Sequence, residues 1–108
     1  MFKKNNRITT AEFKQLGRPL RVFHTVFFSV RVHKIVGEGK KFAVVVSKKV
    51  VPTAVGRNLI KRRLYALLQE YIVSVPPSTA MVVFVKKEAA KASFQELKDS
   101  FSIMYGGR

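Results

Sequence analysis

Cysteine is absent from this chain of 108 residues, and acidic residues are scarce. Without cysteine there is neither a disulfide framework nor a thiolate metal site, as is usual in a reducing compartment. The 2 histidines and 6 Asp or Glu residues show neither metal-ligand spacing nor a pair of catalytic carboxylates. We therefore predict no catalytic residue and no metal-binding residue, and we expect that the protein alone does not carry out bond chemistry.

Long apolar runs and glycine-rich phosphate loops are also missing. No apolar run approaches the roughly 20 residues that a membrane-spanning helix needs. The N-terminus is basic, but no signal-peptide core follows it. No glycine-rich loop of the kind that cradles a nucleotide phosphate is present. We expect a cytoplasmic protein that does not associate with membranes.

What the chain has in excess is positive charge. It carries 21 Lys and Arg residues, which give a formal net charge of +15. Residues 1–63 hold 16 basic and 2 acidic side chains, whereas residues 64–108 hold 5 and 4. Such a charge destabilises the folded chain through self-repulsion, and the usual reason to carry it is a polyanionic partner. Nucleic-acid binding is therefore the leading hypothesis.

The hydrophobic periodicity predicts a single mixed α/β domain with helices stacked on a sheet. The chain is 47% hydrophobic, which suits one compact domain with a modest core. An apolar run over 42–46 predicts a central strand that is covered on both faces. The predicted order is α-β-β(-β)-α-β-α, with helices at about 10–16, 53–73 and from Ser93 onward, and strands at 20–33, 42–47 and 80–85.

Alternation along residues 20–33 predicts one strand with a core face and an outward face. His24 and Phe28 have core parity, whereas Phe23, Phe27, Arg31 and His33 have outward parity. Aromatic and basic side chains on an outward face could stack single-stranded bases. The alternative is that the first helix covers this face, with Phe13 packed against it. Both hold if the helix covers only one end.

The predicted helix over 53–73 has two distinct faces. Ile60, Leu64, Leu67, Leu68 and Tyr71 form an apolar stripe for packing. The adjoining arc carries cations and one asparagine, and two lysines precede the helix. Charge runs are usually solvated faces, but in a chain of net charge +15 this arc favours phosphate binding. The candidate nucleic-acid-binding residues are Lys48, Lys49, Arg57, Asn58, Lys61 and Arg62, whereas Arg63 points away and is interpreted as solvated.

These residues also form a motif that resembles a known family. The segments Val46-Ser47-Lys48-Lys49, Ala54-Val55-Gly56-Arg57-Asn58 and Lys61-Arg62 are similar to the signature of the bacterial ribonuclease P protein subunit. The likeness extends to Asn6-Arg7-Ile8 followed by Phe13, and to the strand near 81–85. The chain departs from the family pattern at Leu59 and Tyr65, where the family usually carries arginine.

The resemblance implies a fold and a role. The family fold has a left-handed βαβ crossover; residues 1–108 would form one domain, with a flexible basic arm over 1–8. The family protein assists a catalytic RNA that removes the 5′ leader of precursor tRNA, with Mg²⁺ bound mainly by that RNA. The implied partners are this RNA and precursor tRNA, without an obligate protein partner. The leader would lie in a cleft on the open sheet face, to which Phe13 is matched directly and Phe27 and Arg31 are assigned by parity.

Two other classes of function stay open at this stage. A structural RNA-binding protein of ribosomal type could have a similar fold and charge without any role in cleavage. A basic amphipathic binder of membranes or DNA is the other class, but apolar strands favour a folded core over a surface peptide.

Overall fold

The computed structural model describes residues 7–37, 39–71 and 75–101, which form four strands and three α-helices. The order confirms the predicted one, including the optional third strand. A short 3-10 helix, Lys87–Lys91, follows the last strand. The elements are α1 (Thr10–Gln15), β1 (Arg21–His24), β2 (Phe28–Lys34), β3 (Lys40–Val45), α2 (Ala54–Tyr71), β4 (Thr79–Val85) and α3 (Phe94–Phe101).

The strands form one sheet in the order β1-β2-β4-β3. Neighbours are antiparallel except β3 and β4, which run parallel and are joined through α2. The prediction that the 42–46 strand is central is wrong, because β3 lies at an edge and β4 takes the central place. An apolar run of five residues does not distinguish these positions, because half-buried Ala43 and Val45 also suit an edge strand. The left-handed sense of the crossover stays a prediction.

Residues 20–33 form a hairpin and not the single strand that was predicted. Thr25 makes the turn: its N–H donates to the Phe28 carbonyl (2.8 Å), and its Oγ1 accepts from the Phe27 and Phe28 N–H groups (3.2 and 3.1 Å). The turn contains neither Gly nor Pro, so nothing in the hydrophobic pattern marks it.

The turn reverses the faces of β1 relative to the predicted ones. Phe23 pairs with Val30 and packs against the core, whereas His24 is exposed. At the far end of β2, His33 is buried with 6% of its surface exposed. The core placement of His24 and the outward placement of Phe23 are therefore wrong, because a one-residue change of register moves every side chain of β1 to the other face. His33 keeps its predicted outward parity on β2 and is buried for a different reason, since the segment after α1 lies against it.

The core lies between one face of the sheet and α2. Ile60, Leu64, Leu67 and Leu68 of α2 are all buried, which confirms the apolar stripe. The side chain of Tyr71 lies outside the described residues. The four buried side chains of α2 belong to one cluster with Phe28, Phe42 and Met81 of the sheet, and Leu97 of α3 completes this cluster. No helix in the described ranges is both long enough and apolar enough to cross a bilayer.

The start of α2 is held by a tight cap. The Thr53 side chain accepts from the Gly56 N–H at 3.1 Å, which satisfies one of the free donors of the first turn. A Cβ atom on Gly56 would lie 2.8 Å from both Thr53 Oγ1 and Val51 Cγ1. The cap and the segment before the helix therefore approach closely only because residue 56 has no side chain.

We expect Gly56→Ala to destabilise the protein by about 1–2 kcal/mol, since overpacking costs about 1–3 kcal/mol and alanine returns part of that through helix propensity. Urea unfolding of both proteins measures the difference. Gly17→Ala is the matched control, because a Cβ there meets nothing within 4 Å. Equal stability of the Gly56 variant and the native chain would contradict the steric account.

Candidate nucleic-acid interface

Cations from two separate segments meet at one end of the sheet. Because β3 and β4 are parallel, their carboxyl ends lie together, with Val45 opposite Phe84. Lys48 and Lys49 follow β3 in a turn, and α2 begins a few residues later. We call Lys48, Lys49, Arg57, Asn58, Lys61 and Arg62 the basic surface.

The basic surface faces solvent. Four of its members are exposed, and Arg57 and Lys61 are half-buried. The two ion pairs within the described ranges are Lys41–Glu12 at 2.8 Å and Lys98–Glu70 at 3.3 Å, and neither includes a residue of the basic surface. The charges of this surface are therefore available to an external anion, and α2 has no acidic residue in its first turn.

Arg57 differs from the other members, because its guanidinium is already bound to the protein. Its Nη1 donates to the carbonyls of Val51 and Pro52, each at 2.9 Å. Nη1 carries two N–H groups, so both are used, whereas Nε and Nη2 are left for another partner. Within the described ranges, Arg57 is the only residue of the basic surface whose side chain makes a hydrogen bond to the protein.

Lys86 and Lys87 add two further cations near the basic surface, and the sequence-based prediction did not include them. They follow β4 directly, at the same end of the sheet as Lys48 and Lys49, which follow β3. Lys86 Nζ donates to the Thr25 carbonyl at 2.7 Å, and Lys87 is exposed. In the sequence these two lysines directly follow a predicted apolar strand, as Lys48 and Lys49 do. Which end of the sheet they share with other cations depends on the strand order, which the sequence does not show.

The sheet face opposite the core, called here the open face, carries an Arg-aromatic pair. The Arg31 guanidinium lies 4.8 Å from the centroid of the Phe84 ring. Phe84 is the one residue of β4 that is not buried, and Ser29 is paired beside it. A cation beside a half-exposed aromatic ring is suited to stacking against a nucleobase.

Helix α1 covers the other end of the open face. Glu12 of α1 pairs with Lys41 of β3, and Ala80 beside Lys41 is buried. A pocket of about 280 Å³ separates α1 from the sheet and is lined by Glu12, Leu16 and Lys34 among others. The helix therefore covers one end only, which was the third possibility left open by the sequence.

His33 lies buried at the covered end. Its burial lowers the pKa, the neighbouring charge of Arg31 lowers it further, and a hydrogen bond with the Gly17 backbone opposes both. His33 is therefore neutral near pH 7, where it acts as a packing residue under the segment that follows α1.

The three predicted cleft residues lie in different environments. Arg31 is on the open face as predicted. Phe13 is 41% exposed on α1 and does not line the pocket beneath that helix. Phe27 lies in the β1–β2 turn and packs half-buried against the core, so its predicted outward placement is wrong. Phe84, which was not predicted from the sequence, lies on the open face where Phe27 was expected.

Tyr65, which departs from the family pattern, is a half-buried packing residue. Its Oη accepts from the Val44 N–H at 3.3 Å, and the Arg7 guanidinium lies 4.8 Å from its ring centroid. The Ile8 N–H donates to the Phe42 carbonyl at 2.9 Å. Residues 7 and 8 therefore belong to the folded domain, which corrects the expected flexible arm there, whereas residues 1–6 lie outside the described part.

Glu12 makes the attachment of α1 dependent on pH. Its hydrogen bond with Lys41, followed by the bond from the Thr9 backbone, lowers its pKa to about 2. A carboxyl group whose pKa is lowered on folding stabilises the folded state at pH values above its unfolded pKa, here near 4.5. This stabilisation is lost as the pH falls from there toward 2.

We expect Glu12→Gln to weaken the attachment of α1 at pH 7, and we expect the difference from the native chain to shrink as pH falls below about 4.5. Amide exchange of α1 between pH 7 and pH 3 measures the difference. Glu88→Gln, on an exposed residue of the 3-10 helix, is the control. A difference that does not change with pH would contradict the assignment to the Glu12 carboxylate.

Fold and site together define a class of small, strongly basic α/β proteins with cations gathered at the strand ends and an open sheet face. The sequence model of the family described as Ribonuclease P matches residues 2–106. The chain belongs to the ribonuclease P protein family.

Relatives and solved structures agree with this assignment. The ribonuclease P protein component of Clavibacter michiganensis is 30% identical over 94% of this chain and 91% of its own length. That of onion yellows phytoplasma is 34% identical over 94% of this chain and 68% of its own length. The component of Phytoplasma australiense is 42% identical, over 57% of this chain and about half (53%) of its own length. The RNase P proteins of Staphylococcus aureus (TM-score 0.76, 20% identity, 92% and 91% covered) and Thermotoga maritima (0.70, 18%, 89% and 86%) share the fold.

Proposed function

We propose that this chain is the protein subunit of ribonuclease P, which binds the catalytic RNA and the 5′ leader of precursor tRNA and so assists removal of the leader. The observation that carries the proposal is the basic surface. It joins cations from the turn after β3 and from the first turns of α2 on a rigid support, without an acidic partner in the described ranges. Cations held in this way match the spaced phosphates of a folded RNA.

The open face supports binding of the leader. Arg31 and Phe84 offer a cation and a ring at the end of the sheet that α1 leaves uncovered. Lys86 and Lys87 follow β4 at the same end of the sheet as Lys48 and Lys49, so a strand leaving the catalytic RNA would meet further cations there. Phe13 and Arg31 stay predicted leader contacts, and Phe84 replaces Phe27 in the proposal.

The cleavage chemistry is assigned to the RNA. In the described ranges no three His, Asp or Glu side chains gather to hold a metal ion. We propose, from membership of the ribonuclease P protein family, that the Mg²⁺ required for phosphodiester hydrolysis is bound mainly by the RNA, and no step is assigned to this chain's own carboxylates. The protein would act in the cytoplasm, where precursor tRNA is made, with these two RNAs as its partners.

Reconstitution with the cognate catalytic RNA at low Mg²⁺ tests this function, because an added source of cations matters most when Mg²⁺ is scarce. We expect the protein to speed leader removal by the RNA and to cut nothing by itself. Cleavage by RNA-free protein would overturn the division of roles. Tight RNA binding without any gain in cleavage would instead indicate a structural RNA-binding protein.

A further inference from the structure

The two lysines of the basic surface that precede α2 lie in a short loop, residues 47–53, called here the lysine loop. Its first half is a turn in which the Val50 and Val51 N–H groups donate to the Ser47 carbonyl at 3.1 and 3.0 Å. Lys48 and Lys49 are inside this turn and exposed. Their positions relative to α2 are therefore set by the backbone of the loop.

The second half of the loop is fixed to α2 by one side chain. Val51 is buried, with 8% of its surface exposed, and the next residue is Pro52, which has no N–H to donate. The carbonyls of both residues accept from Nη1 of Arg57 at 2.9 Å. Arg57 therefore links the first turn of α2 to the loop that carries the lysine pair.

The geometry points to a second role for Arg57, beyond a charge on the basic surface. We propose that Arg57 is a positioning residue, which holds the lysine loop so that Lys48 and Lys49 reach the RNA backbone in register with the cations of α2. This inference rests on the proposed function. A lysine in its place would keep the charge, but its stem is shorter and its ammonium lacks the rigid guanidinium plane that aims the two N–H groups of Nη1 at the adjacent carbonyls.

A double-mutant cycle separates positioning from direct contact. The proteins are the native chain, Arg57→Lys, the pair Lys48→Ala/Lys49→Ala, and the triple variant, with Arg63→Lys as a control for arginine exchange on the same helix. The readouts are the Kd for the catalytic RNA and its dependence on salt. Amide exchange at Val50 and Val51 reports directly on the order of the loop.

We expect Arg57→Lys to weaken binding by about tenfold and to lower the salt slope by about one to two, although no charge is lost, because the lysine contacts become less well formed. In the background without Lys48 and Lys49 the same exchange should change the Kd by less than about twofold. In the Arg57→Lys variant, amide hydrogen exchange at Val50 and Val51 should become faster, whereas core amides should stay protected. Arg63→Lys should behave as the native chain.

Equal effects of Arg57→Lys in both backgrounds, or native affinity in the single variant, would overturn the positioning role and leave the basic surface intact. Native affinity of Lys48→Ala/Lys49→Ala would show that the lysine loop does not bind RNA. That result would contradict both the RNA contact of the two lysines and the positioning role of Arg57. If Arg57→Lys does not fold, Arg57→Met keeps the apolar stem and is put through the same cycle, where additive effects again contradict the inference.

Discussion

Replacing Lys61 and Arg62 together with alanine is expected to weaken binding to the catalytic RNA by about 10- to 100-fold at about 0.15 M salt. Both side chains lie on the first turns of α2 and neither has a hydrogen bond or ion pair within the described part of the protein. Each lost phosphate contact should lower the slope of log K against log salt by about one, so the pair should lower it by about two. A salt titration of the two proteins measures both quantities.

The control for this experiment removes the same charge from another place. Lys14→Ala/Lys34→Ala also takes two cations from a chain of net charge +15, but Lys34 ends β2 at the opposite end of the sheet and Lys14 is exposed on α1, which covers that end. We expect this pair to change the Kd by only a few-fold through the overall field. Equal losses in the two double variants would show that net charge, and not the basic surface, determines affinity.

Phe84→Ala is expected to weaken binding of precursor tRNA to the reconstituted enzyme by about 5- to 100-fold, since stacking on an aromatic ring contributes about 1–3 kcal/mol per base. The affinity for mature tRNA, which has no leader, should change little. The ratio of the two Kd values is the measurement, because a general loss of folded protein would affect both substrates alike.

Phe94→Ala is the matched control for the Phe84 variant. Phe94 is a partly exposed phenylalanine at the start of α3, which packs with α2 on the core side of the sheet. We expect its ratio of precursor to mature affinity to equal that of the native chain. An unchanged ratio in the Phe84 variant as well would remove the open face from leader binding.

Helical elements were predictable from the sequence because they carry redundant local signals. The stripe from Ile60 to Leu68 repeats at helical spacing, and the Ser93–Glu96 pair forms the capping box that its spacing predicts, with bonds of 2.9 and 3.1 Å. The members of the basic surface on α2 follow from the same helical period, and Lys48 and Lys49 lie a few residues before that helix. These predictions depend only on residues that are near each other in the chain.

The open face was not predictable in the same way, because it depends on one turn and on the strand order. Thr25 turns the chain through its own hydroxyl, and no Gly or Asn marks the position. One unmarked turn moved Phe23 to the core side and left His24 exposed. Phe84 and Lys86 gained their neighbours only through the pairing of β4 with β2 and β3, which are distant in the chain.

The proposed function requires that the protein recognise one folded RNA in preference to others. The most direct measurement compares the Kd of the native protein for the cognate catalytic RNA with that for an unrelated RNA of equal length, across a series of salt concentrations. We predict tighter binding to the catalytic RNA throughout the series, with the preference retained at about 0.15 M salt. Equal affinity for the two RNAs at that salt would contradict the account.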